Sequence, residues 1–96
     1  MQDERDASAA MTLERLWCLA RLMVALRLLG RGSTVTLPGV NGQPVMYVPV
    51  GPSARKMAVL AVQGASGGWS FCWDGDQTVA ADDTMRAAHW IAAVKR

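Results

Sequence analysis

The side chains able to do covalent chemistry are few: Ser66 and Cys72 as nucleophiles, His89 as the only imidazole, and several aspartates. A hydrolase needs a nucleophile, a base and an orienting acid held in one geometry. The spacing of these residues matches no triad signature. A lone histidine on the outer face of a helix is ordinarily solvated, so no catalytic residue is expected.

Metal chemistry would draw on Asp74, Asp76, Asp82 and Asp83. Asp74-Gly75-Asp76 opens like a calcium loop, but such a loop ends on a bidentate Glu at its twelfth position, which here is Met85. Turn formation and helix capping account for all four carboxylates, and no metal ligand is expected. The run Gly64-Ala-Ser-Gly-Gly68 lacks the Lys-Ser/Thr of a phosphate cradle and leads into a strand rather than a helix, which suits a hairpin loop. No cofactor is expected either.

Trp69, Phe71 and Trp73 alternate with Ser70, Cys72 and Asp74, so the three rings share one face of a strand. An aromatic row can stack bases, but base stacking calls for nearby Lys and Arg, and this strand carries only Asp74. Core packing under the helices is the first expectation, ahead of a protein interface and a ligand platform. A pocket between this strand and the helices would be lined by Trp69, Trp73 and Trp90.

The elements that position these residues follow from periodicity. Residues 1–11 read as a polar, disordered leader, and residues 12–96 as a single α+β domain. Thr12 suits an N-cap, and Gly30 and Gly32 a stop, giving a first helix over 12–30. Strands follow over 33–37, 45–50, 57–62, 69–74 and 77–80, with Asn41-Gly42 suited to a hairpin turn. Met57 to Val62 has no polar residue at either parity, the pattern of a strand covered on both faces. Asp82 or Asp83 caps a last helix over 84–94, whose apolar arc includes Met85, Ala87, Ala88, Trp90 and Ile91. The expected fold is α+β: an N-terminal helix, an antiparallel meander of four to five strands, and a C-terminal helix packed on the sheet.

Composition narrows the class. Of 96 residues, 51% are hydrophobic and 19% charged, which suits one packed core and excludes a disordered chain. The net charge of +2 is spread along the chain, so nucleic acid is an unlikely partner; Arg15, Arg21, Arg27, Arg31 and Arg55 would have to gather on one side. Cys18 and Cys72 sit among apolar neighbours and read as buried thiols. The acidic start does not resemble a secretory signal, and Glu14, Arg15, Arg21 and Arg27 break the apolar run that a membrane span needs. A cytoplasmic, non-membrane protein is expected.

Gly68-Trp-Ser-Phe-Cys-Trp-Asp74, Val79-Ala-Ala-Asp-Asp83 and the Ala-rich stretch from Met85 to Val94 form a recognisable series. Residues 57–95 resemble small uncharacterised actinobacterial α+β proteins, in which a Trp-rich strand, an Ala-Asp-Asp turn and an Ala/Ile helix close the domain. The resemblance implies an intracellular accessory role and no catalytic residues.

The first helix carries apolar residues around more than half its circumference, wider than the stripe of about 100° that one sheet face hides. That surplus predicts a non-enzymatic interaction or regulatory module, a homodimer or the partner of another protein, with Leu16, Trp17, Met23 and Leu26 at the interface. The alternative is a small-molecule binder or small enzyme using the tryptophan pocket.

Overall fold

The computed structural model describes residues 3–37, 43–51 and 55–94. The elements run α1 (Asp3–Leu28), β1 (Thr34–Thr36), β2 (Val45–Pro49), β3 (Lys56–Gln63), β4 (Trp69–Trp73), β5 (Gln77–Ala80) and α2 (Thr84–Ala92). The five strands form one sheet in the order β1-β2-β3-β4-β5, each pair antiparallel. This is the expected α+β meander flanked by two helices. The Asn41-Gly42 turn lies outside the described residues.

The first helix begins at Asp3, not at Thr12, so most of the stretch read as a leader is helical. Ala7, Ala9 and Ala10 favour this, since alanine is the strongest helix former. The stop falls where expected. Gly30 takes φ +81°, and the Arg31 amide donates to Leu26 O while the Gly30 amide donates to Arg27 O, the paired bonds of a Schellman ending.

Side chains alternate across the sheet. Met46 and Val48 of β2, Met57, Val59 and Ala61 of β3, and Phe71 and Trp73 of β4 are buried on one face. In register, Val35, Met46, Val59, Trp73 and Gln77 form one row across all five strands. Cys18, Leu19, Leu22, Ala25 and Leu26 of α1 and Ala87, Ala88 and Ile91 of α2 pack into the same core. Both helices therefore cover one face of the sheet.

Among the described residues no helix or strand covers the opposite face, which corrects the expectation that β3 is covered on both sides. Leu60 and Val62 point there and are half-buried, beside Cys72 and Ser70, their ladder partners on β4. Neighbouring side chains shield one another on this surface, so a strand apolar at both parities persists without a second layer.

Two capping details also differ. Asp83 occupies the N-cap position of α2, but its carboxylate makes no capping hydrogen bond; the Thr84 hydroxyl instead donates to Ala81 O at 2.9 Å. Of the apolar arc on α2, Ala87, Ala88 and Ile91 are buried, while Met85 and Trp90 are exposed.

Arg31 joins the layers. Its guanidinium donates to Ala92 O at the end of α2 (2.6 Å) and to Pro49 O at the end of β2 (2.9 Å). β1 is too short to pair opposite Pro49, and arginine meets the carbonyl at that uncovered strand end.

Candidate interaction surface on the first helix

Two apolar stripes run along α1, on roughly opposite sides at 100° per residue. One, Cys18, Leu19, Leu22, Ala25 and Leu26, enters the core. The other carries Leu13, Trp17, Val24 and Leu28, which are 66%, 67%, 58% and 74% exposed. From Ala9 to Trp17 no residue of α1 is buried, so this half of the helix extends past the main core.

The stripe borders a cleft of about 490 Å³ between α1 and the start of α2. Trp17, Ala20, Val24 and Leu28 form the wall on α1, Arg21 stands at one side, and Thr84 and Met85 close it from α2. Its chemistry is that of an apolar contact surface: large hydrophobic side chains with one flanking cation.

The interface residues expected from the sequence divide. Trp17 is exposed and central to the stripe. Leu16 is half-buried, and Met23 is half-buried against the core. Leu26 is fully buried in the chain's own interior, which removes it from any interface. Leu13, Val24, Leu28 and Met85 were missed. The spacing 13, 17, 24, 28 was visible as one side of a helix, but the core stripe has equally good periodicity, and the sequence does not say which of two greasy sides meets the sheet.

The three tryptophans expected around one pocket lie in different settings: Trp73 is buried in the core, Trp90 is 51% exposed on α2, and Trp69 lines clefts at the surface. One of these, also about 490 Å³, has Arg21, Ser66, Ser70 and Asp82 around Trp69. Trp69 also faces Arg15, whose guanidinium carbon lies 5.6 Å from the ring centroid.

The candidate catalytic groups stay apart. Cys72 points to the open face of the sheet, whereas His89 is exposed on α2, over the other face. Both cysteines are free thiols, Cys18 buried and Cys72 half-buried. Among the described residues no group of three or more His, Cys, Asp or Glu comes together to hold a metal ion. Among the same residues no helix is long and apolar enough to cross a membrane.

The arginines do not make one basic face. Arg15, Arg21 and Arg27, six residues apart in turn, point to sides of α1 separated by about 120°. Arg31 is engaged with main-chain carbonyls.

No protein-family model matches this chain, and neither a curated protein nor a solved structure matches it.

Proposed function

We propose that this chain is a non-enzymatic interaction module, cytoplasmic and accessory in role, that self-associates through the outer stripe of α1. One observation carries the reading: Leu13, Trp17, Val24 and Leu28 form a continuous exposed row on one helix. With about 150 to 250 Å² for a large side chain, those exposures together with Met85 leave on the order of 500 Å² of apolar surface in water. That is at the upper end of the 300 to 600 Å² or so found as the largest patch on a monomer, and it is much of the 800 Å² or so that each partner contributes to a standard interface. The open sheet face is a weaker candidate, because Tyr47, Leu60 and Val62 there are already half-buried by their neighbours.

Light scattering on the eluting protein, at several loading concentrations, tests the reading. A dimer is expected, and Trp17→Glu is expected to return it to monomer with unchanged helicity. A concentration-independent monomer in the unmodified chain would overturn self-association, and a monomer that captures a defined heterologous protein through Trp17 would replace the second copy with that partner.

A small-molecule binder is the second reading. It is favoured by the cleft around Trp69, where Arg21, Ser66 and Asp82 supply polar groups beside an aromatic face. Those three polar residues are all exposed, so water competes for every contact they offer.

A further inference from the structure

We infer that two copies pair through α1 in antiparallel orientation, about a twofold axis passing beside Ala20 and Arg21, with Trp17 of each chain seated in the other's cleft. This rests on the self-association proposed above and adds its geometry.

A twofold interface uses the same patch on both subunits, so the patch must complement itself after rotation. The outer stripe of α1 does so when reversed. Leu13 lies as far before the midpoint between Ala20 and Arg21 as Leu28 lies after it, and Trp17 and Val24 are related in the same way. An antiparallel partner therefore sets Leu13 level with the partner's Leu28 and Trp17 level with the partner's Val24. Each bulky indole meets a small β-branched residue, and Ala20 beside the axis lets the backbones approach. In parallel pairing every residue meets its own copy: indole opposes indole at one level, and Ala20 opposes Ala20 at the next, leaving a gap. Helix dipoles also favour the antiparallel arrangement.

The cleft supplies the second half of the fit. It flanks α1 from Trp17 to Leu28 and is bounded by Thr84 and Met85 of α2. The reversed partner brings its Trp17 to the height of Val24, within the span of this cleft. The volume of about 490 Å³ admits an indole, and its walls are chiefly apolar. The outer stripe with Met85 offers on the order of 500 Å², much of the 800 Å² or so that each chain contributes to a standard interface.

Arg21 is the unfavourable element, because two guanidinium groups approach the axis. It also lines the neighbouring cleft that contains Asp82, so its long side chain has a route away from the seam.

The test uses Leu13→Cys and Leu28→Cys chains, each with Cys72→Ser, under mild oxidation, with the linked peptides identified by mass. Neither chain alone is expected to couple to itself through the introduced thiol, because in this arrangement the two copies of residue 13 stand about 20 Å apart along the helices. Mixing the two chains is expected to give the 13-to-28 disulfide. Self-coupling of the Leu13→Cys chain at residue 13 would overturn the antiparallel arrangement while leaving self-association through α1 intact. A dimer by light scattering that couples in no combination would overturn both this geometry and the α1 interface, and a monomer would remove self-association altogether. Met85→Glu supplies a second readout: it is expected to raise the dimer dissociation constant at least tenfold, and an unchanged constant would overturn the seating of Trp17 beside Met85.

Discussion

The guanidinium carbon of Arg15 lies 5.6 Å from the centre of the Trp69 ring, joining the outer half of α1 to the start of β4. The Nε of Arg15 is shielded from solvent with no hydrogen-bond partner among the described residues, and the ring face lies against the same guanidinium. A cation over tryptophan contributes about 0.5 to 2 kcal/mol, more as it loses water. From Ala9 to Trp17 the helix has no buried residue of its own, and this contact helps hold that segment beside the domain.

Arg15→Met keeps the aliphatic stem over the ring and removes the charge. A loss of about 1 kcal/mol in urea unfolding is expected. Trp69→Leu in the same background should then cost no more than its own packing term. Full additivity of the two changes in a double-mutant cycle would show that the cation and the ring do not interact.

Arg31 gives a different prediction. It meets the carbonyls of Ala92 and Pro49 together, and a cation at a helix C-terminus also complements the dipole. Arg31→Met should lower stability by about 1 to 2 kcal/mol, because both acceptors lose a charged donor while one contact stays open to water. Amides of the last turn of α2 should exchange faster by hydrogen-deuterium exchange, and those of β3 and β4 should not.

Leu26 and Trp17 stand nine residues apart on one helix and should respond in opposite ways. Leu26 is fully buried, and Leu26→Ala is expected to cost about 3 to 5 kcal/mol, the range for leucine truncation in a tight core. Trp17→Ala should change the unfolding of the monomer by no more than about 0.5 kcal/mol, as for surface positions generally. Chemical denaturation at low protein concentration measures both free of association.

The contrast between these two residues marks how far sequence reading reaches. The strands were legible because alternation is local: Trp69, Phe71 and Trp73 announce one face without reference to the rest of the chain. The stop of α1 was legible from Gly30, whose positive φ few other residues adopt. Which stripe of α1 meets the sheet was not, because Leu26 and Trp17 belong to patterns of equal period and similar hydrophobicity. Only contact with Val59, Phe71 and their neighbours in the core decides between them. The same limit applies to β3, where Leu60 and Val62 are as apolar as Val59 and Ala61, and the placement of both helices on one side leaves the first pair outside. Trp90 failed for a related reason: nothing in an Ala-rich helix says how far round its circumference the sheet reaches.

The β4–β5 hairpin carries the last prediction. Trp73 and Gln77 face each other in the ladder, so the chain reverses through Asp74, Gly75 and Asp76. Asp74 has φ +59° and Gly75 φ +83°, the left-handed region for both. Asp tolerates that conformation because its short polar side chain bonds locally, whereas a branched residue there meets its own carbonyl. A Cβ on Gly75 would touch nothing within 4 Å, so any penalty for Gly75→Ala comes from the backbone alone. About 1 kcal/mol of destabilisation is expected. Asp74→Gly relaxes strain but adds freedom to the unfolded chain, and the two effects should cancel to within about 0.5 kcal/mol. Asp74→Val has neither compensation and should cost the most of the three. Thermal unfolding of the three variants checks the order, and a Gly75→Ala protein as stable as the unmodified chain would show that the hairpin can reverse through another turn.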